Sequence, residues 1–207
     1  MSKVLGIDKY LHMEGLAYRF IPVEAEDYYK GVGGVYRDGS FDLLVTKANE
    51  GLTQWGSLNQ EGVVPDRESV RNTAYAQQAY SRLAQALVNH DQFDSAVIVM
   101  DKYQEFFPND KFPADIRTYQ FPEIYYVCGD TVKGDDYLMK LVDNYSDKIR
   151  YYGSMKPKFQ KYFEEDIDEC FSLLKHFSGV AKKYERTELA QLISDRVMDY
   201  LTLYYSE

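Results

Sequence analysis

Through the middle of the chain, apolar side chains recur every three to five residues, the period of an amphipathic helix rather than of a strand. Between Val70 and His90 the apolar face is carried by Tyr75, Ala79, Tyr80, Leu83, Ala84 and Leu87. Asp66, closing Val63-Val-Pro-Asp66, stands where a side-chain acceptor caps such a helix. A second helix is predicted after Asp91, with Phe93, Ala96, Val97, Met100 and Tyr103 facing inward and Pro108 as its stop. The short turn between the two makes them an antiparallel pair. Farther on, Phe159, Phe163, Ile167, Phe171, Leu174, Phe177 and Ala181 form one stripe. Thr187 is then placed to cap a last helix bearing Leu189, Ala190, Ile193, Val197, Tyr200 and Leu201. The first 38 residues follow another pattern. Leu16 to Val23 alternates as a short strand does, and Gly31-Val-Gly-Gly-Val-Tyr36 reads as a turn or loop, so an extended arm or small hairpin is expected. Ser40 is expected to cap a short helix over Phe41 to Gly51, and Trp55 to occupy a glycine-flanked turn.

A helix-turn-helix unit cannot bury both faces alone, so repeats of the unit decide the fold. From Gln77 the chain resembles a tetratricopeptide repeat. Tyr80 takes the large aromatic site, Leu83 and Ala84 the next pair, Leu87 the following turn, Ala96 the small site of the second helix, Met100 the turn after it, and Pro108 the closing proline. Tyr103 departs from the family, which usually has a small residue there, and looser or shifted packing onto the next unit is expected. A weaker copy spans Ile116 to Tyr145, with Tyr125 and Gly129 before its turn, Gly134 at the small site, and Leu138 and Leu141 beyond; Pro113 and Pro122 interrupt its start. Ala96, Gly134 and Ala190 stand 38 and then 56 positions apart, so the array is degenerate. The expected fold is mostly α: a degenerate tetratricopeptide-like array (an α-α superhelix) over residues 67–207, behind an N-terminal arm over residues 1–66.

The 207 residues are 45% apolar, enough for a core without disulfides or a structural metal. With 33 acidic and 24 basic side chains, the net charge of -9 disfavours nucleic acid and anionic membrane surfaces as partners. No run approaches the roughly 18 apolar residues of a membrane-spanning helix, so a soluble domain without direct membrane insertion is expected. The 20 tyrosines and 11 phenylalanines point to an aromatic core, and the pairs Tyr125-Tyr126, Tyr151-Tyr152 and Tyr204-Tyr205 to a groove for a protein or peptide. Tyr125, Tyr126, Tyr151 and Tyr152 are the candidate surface, with one ring of each pair expected in the core.

The remaining chemistry is sparse. His12, His90 and His176 have no HExxH-type spacing, a G-x-S-x-G elbow is absent, and Gly31-Val-Gly-Gly34 lacks the lysine of a phosphate loop. Cys128 and Cys170 are expected as buried free thiols. Glu164, Glu165, Asp166, Asp168 and Glu169 read as a solvated helix face. No catalytic, metal or cofactor residue is assigned.

Glu14-Gly-Leu-Ala-Tyr-Arg-Phe-Ile-Pro22, Trp55-Gly56, and Arg71 through Arg82-Leu-Ala-Gln-Ala-Leu87, with Thr187-Glu-Leu-Ala190, together resemble the C-terminal region of a bacterial family of multi-spanning membrane proteins. That family is similar to protein O-mannosyltransferases of the GT-C type. The resemblance implies a noncatalytic accessory domain tethered to the inner membrane on its extracytoplasmic side, binding a protein partner, an acceptor, or the membrane portion of its own parent chain. A carbohydrate- or glycolipid-binding module using exposed tyrosines is the alternative.

Overall fold

The computed structural model describes residues 7–25, 34–48, 50 and 53–205. The glycine-rich turn at 31–33, the close of the Phe41–Gly51 helix and the Tyr205 ring lie outside the described residues. The fold is mostly helical with a small three-stranded sheet near its N-terminus. The chain divides into two compact units, residues 1–112 with 127–130, and residues 113–126 with 131–207. The boundary therefore lies near 112, not at 66 as the sequence pattern implied. The reason is that the N-terminal sheet and the first helix pair share one core.

In the first unit, β1 (Leu11–Glu14) and β2 (Ala17–Phe20) form an antiparallel hairpin, with Leu11 opposite Phe20 and Met13 opposite Tyr18. Gly15, at φ +63°, makes the turn. Gly34 and Val35 are not loop but a strand, β3, pairing parallel with β1. Helix α1 (Arg37–Phe41) follows and runs into a π turn over Asp42–Thr46. Ser40 is no cap: it lies inside α1, fully buried, where its Oγ donates to the Met13 carbonyl and accepts from the Gly15 amide, both at 3.0 Å. Hairpin and helix are thereby fastened to each other.

Helix α2 (Arg67–Val88) starts where Asp66 accepts from the Ser69 amide at 2.8 Å, and this bond lowers the Asp66 carboxyl pKa. Helix α3 runs over Phe93–Phe106 and stops before Pro108. Tyr80, Leu83, Ala84, Leu87, Ala96, Met100 and Tyr103 are all buried. Tyr75 is not; at 83% exposure it faces water, because the buried line runs through Thr73, Ala76, Gln77 and Tyr80, out of phase with it. The Tyr80 hydroxyl donates to the Leu44 carbonyl at 2.9 Å, tying α2 to the N-terminal segment. Tyr103 is packed within its own pair: its ring meets Tyr80 edge-on at 6.1 Å and Phe107 at 5.2 Å, and its hydroxyl lies 3.4 Å from Gln77.

The second unit holds α4 (Phe121–Val127), α5 (Thr131–Gly153), α6 (Pro157–Gln160), a 3-10 turn over Lys161–Phe163, α7 (Glu164–Lys183) and α8 (Thr187–Tyr205). Thr187 is the first helical residue of α8 rather than its cap. Hydrogen bonds from α5 to α8, and to Arg186 just before it, join residues 50, 51, 53 and 55 positions apart, so these helices run parallel. Glu123 of α4 meets Lys183 and Tyr184 at separations of 60 and 61, so the end of α7 lies beside α4. Pair α7–α8 thus stacks on pair α4–α5 in the same order.

The three helix pairs share one turn. Asp91, Gly129 and Glu185 have left-handed backbone, with φ of 58°, 84° and 59°. The second helix of each pair begins two positions later, and five positions later stand Ala96, Gly134 and Ala190. Two of the turns close by the same pair of bonds. Gln92 donates to Leu87 at 2.9 Å and Asp91 to Val88 at 3.0 Å, as Arg186 does to Ala181 at 2.8 Å and Glu185 to Lys182 at 3.1 Å, the Schellman arrangement.

A Cβ at Gly134 would fall 2.5 Å from the Tyr126 ring, whereas one at Gly179 on α7 meets nothing within 4 Å. Both glycines are helical, and alanine favours a helix by about 1 kcal/mol over glycine. Urea unfolding should therefore show Gly179→Ala stabilising by roughly 0.5 to 1 kcal/mol. Gly134→Ala is expected to destabilise, because overpacking costs about 1 to 3 kcal/mol.

Candidate interaction surface

Helix α5 ends in a corner built by its own sequence. Gln160 donates from Nε2 to the carbonyls of Gly153, at 3.3 Å, and Met155, at 3.0 Å, answering one carbonyl at the end of α5 and one in the turn after it. The Tyr204 hydroxyl donates to the Ile149 carbonyl at 2.9 Å. Gly153 leaves room for that ring, since a Cβ there would lie 3.2 Å from it. Pro157 opens α6, where its fixed φ suits a first helical position.

On this frame, Tyr152 stacks on Phe163 at 5.1 Å and touches Tyr151 at 5.7 Å. Tyr151 is 63% exposed, Phe159 47% and Tyr162 80%. Between Lys148 and Phe163 stand five basic residues and no acidic one, in a chain of net charge -9. All five, Lys148, Arg150, Lys156, Lys158 and Lys161, are exposed. Arg150 pairs with Asp147 at 2.9 Å and meets the Tyr200 hydroxyl at 3.1 Å. Lys158 lies 4.8 Å from the Phe159 ring centre, a cation–π distance. Among the described residues, Lys156, Lys158 and Lys161 join no ion pair. Asp147 bounds this basic, aromatic corner on one side and Glu164, Glu165 and Asp166 on the other.

The two tyrosine pairs part ways. Tyr125 and Tyr126 cannot line a surface, because both are buried. Tyr126 is covered by Gly134 and by the Tyr184 ring at 4.8 Å, and its hydroxyl donates to Asp135 at 2.9 Å. Burial first, and then that carboxylate, raise its pKa. Asp135 also receives the Arg186 guanidinium, so α4, α5 and the start of α8 meet at one carboxylate. Tyr151 lies at the surface and Tyr152 is half-buried, its pKa raised chiefly by desolvation. The sequence pattern predicts Phe159 in the core stripe; the 3-10 turn at Lys161–Phe163 shifts the helical phase and leaves it half in water. Sequence reasoning missed Phe159, Tyr162 and the lysines as surface features, although the acid-free window from 148 to 163 was a usable signal.

His12 lies 3.0 Å from the Val23 carbonyl by Nε2, and His176 packs against Tyr119 and Phe177. A cavity of about 410 Å³ in the first unit is lined by His12, Glu24, Tyr36 and Asp38. Among the described residues no three His, Cys, Asp or Glu side chains converge as a metal site, and no helix is long and apolar enough to cross a membrane. The acidic run at 164–169 is exposed around the buried Ile167. Cys170 is buried and Cys128 half-buried, and burial pushes both thiols up to about 11.

No family model matches the chain, and no curated protein or solved structure is detectably similar to it.

Tyr125→Ala should cost about 3 to 5 kcal/mol in urea unfolding, as large aromatic truncations in cores do. Tyr151→Ala should stay within about 0.5 kcal/mol of the parent. Thiol reactivity offers a second check. An ordinary cysteine has a pKa near 8.5, so at pH 8 both thiols should alkylate about a hundredfold more slowly than a free cysteine and speed up about tenfold per pH unit until near 11. Iodoacetamide labelling followed by mass spectrometry reads both rates.

Proposed function

We propose that this chain is a noncatalytic helical-repeat interaction domain, the accessory part of a larger membrane glycosyltransferase-like protein, held at the extracytoplasmic side of a bacterial inner membrane. The observation that carries the interaction reading is the parallel stacking of α7–α8 on α4–α5, with bonded positions 50 to 61 apart. Stacked pairs of this kind present continuous surfaces to extended segments of partners. The corner at Tyr151, Phe159 and Tyr162 adds exposed aromatic rings, the side chains that dominate binding energy at protein contacts. The membrane parentage rests on the resemblance carried by Glu14–Pro22, Trp55-Gly56 and Arg71–Leu87.

A second reading, a carbohydrate- or glycolipid-binding module, draws on the exposure of Tyr151 and Tyr162, since flat aromatic rings stack on the apolar faces of sugars. The burial of Tyr125 removes one of the rings that reading needs.

Titration calorimetry of the purified domain against acceptor peptides and against the isolated membrane portion of the parent tests the proposal. Saturable binding to at least one is expected. Silence toward both, together with a reading frame upstream of Met1 that encodes no apolar spans, ends it. Heat on adding oligosaccharide, lost in Tyr151→Ala and Tyr162→Ala, selects the second reading instead.

A further inference from the structure

We infer that the corner formed by residues 148–163 receives a short acidic segment of a protein partner, its carboxylates on Lys156, Lys158 and Lys161 and an apolar anchor against Tyr151, Phe159 and Tyr162. This deepens the interaction-domain reading and rests on it.

The first support is that the folded chain offers these cations no ion-pair partner among the described residues. They lead into the N-terminus of α7, where the helix dipole favours negative charge and opposes positive. Glu164, Glu165 and Asp166 in the first turn of α7 already serve that dipole. Among the described residues the three lysines join no carboxylate.

The second support is that the lysines are interleaved with rings that water meets. Phe159 and Tyr162 alternate with Lys158 and Lys161 along the turn, and Tyr151 adds a third exposed ring. A basic surface for a purely polar anion needs no such rings. A peptide that alternates carboxylates with aromatic or aliphatic side chains uses both, with the charges at the rim and the ring contact drying the centre.

The third support is the size of the positive field. Asp147 closes the corner on one side and Glu164–Asp166 on the other, and the whole chain carries -9. An extended anionic surface, whether a bilayer or a nucleic acid, would press those acids as well as the lysines and be repelled. A short acidic segment can set its carboxylates on the lysines without spanning both flanks.

The test uses the full 207-residue chain and a fluorescein-labelled 12-residue peptide of Glu and Asp around a central Phe-Leu pair, read by fluorescence anisotropy at low salt. Binding should saturate, weaken at least about tenfold when Gln and Asn replace the acids, and weaken similarly when salt shrinks the Debye length to about 3 Å near 1 M. The triple variant K156E/K158E/K161E should abolish binding. Y151A/Y162A should weaken it severalfold, with unchanged circular dichroism in both variants because all five side chains are exposed. Full binding by K156E/K158E/K161E, or no binding by the parent chain, overturns the inference. So does lysine-dependent capture of phosphatidylserine vesicles or of an oligothymidylate without capture of the peptide. If K156E/K158E/K161E still binds the membrane portion or acceptor peptides as the parent chain does, this inference fails and the interaction-domain reading stands.

Discussion

The fold depends on how closely two helices of a pair approach just after their turn. At that point the second helix presents Ala96, Gly134 or Ala190, each five positions after a left-handed residue. At Gly134 even one methyl group would press into the Tyr126 ring. Close approach brings the longer side chains of the next turns into contact, and the rings of Tyr80 and Tyr103 meet edge to face in the first pair. Left-handed backbone is costly for residues other than glycine. Asp91 and Glu185 adopt it all the same, because two turn-closing hydrogen bonds and the packing beyond them outweigh the strain.

Polar groups then decide how one pair sits on the next within the second unit. Asp135 gathers Tyr126 from α4 and Arg186 from the turn before α8, while Glu123 takes Lys183 and Tyr184 from the end of α7. Single ion pairs at a protein surface contribute little. Here the two carboxylates are also held by tyrosine hydroxyls, which gives the junction a fixed geometry. Arg196 to Asp143 and Arg150 to Tyr200 continue the same register along α5.

The aromatic corner differs from these junctions in carrying three lysines that, among the described residues, join no ion pair, beside exposed apolar surface. Tyr152 and Phe163 form its half-buried floor, and Gln160 holds its backbone by bonding two carbonyls of the preceding turn. Tyr151, Phe159 and Tyr162 are thus displayed by a supported segment. An ordered display of this kind lowers the entropy lost on binding.

Local rules acting along the chain were enough to determine much of this. Period and capping placed α2 and α3, with Asp66 at the start and Pro108 past the end, and the small residues marked all three helix pairs. These features are legible because a helix's apolar face and its caps depend on neighbours only a few positions away. What lay beyond that range was decided by tertiary structure. Tyr125 and Tyr126 are adjacent and look alike in sequence to Tyr151 and Tyr152, yet the first two are buried, Tyr126 against Gly134 and the Tyr184 ring, while Tyr151 is 63% exposed. Ser40 reads as a cap, but it spends its hydroxyl on the hairpin turn 25 and 27 positions away. The stripe from Phe159 broke because one 3-10 turn rotates everything before it. Burial of a given ring depends on which distant segment covers it, and no local period encodes that.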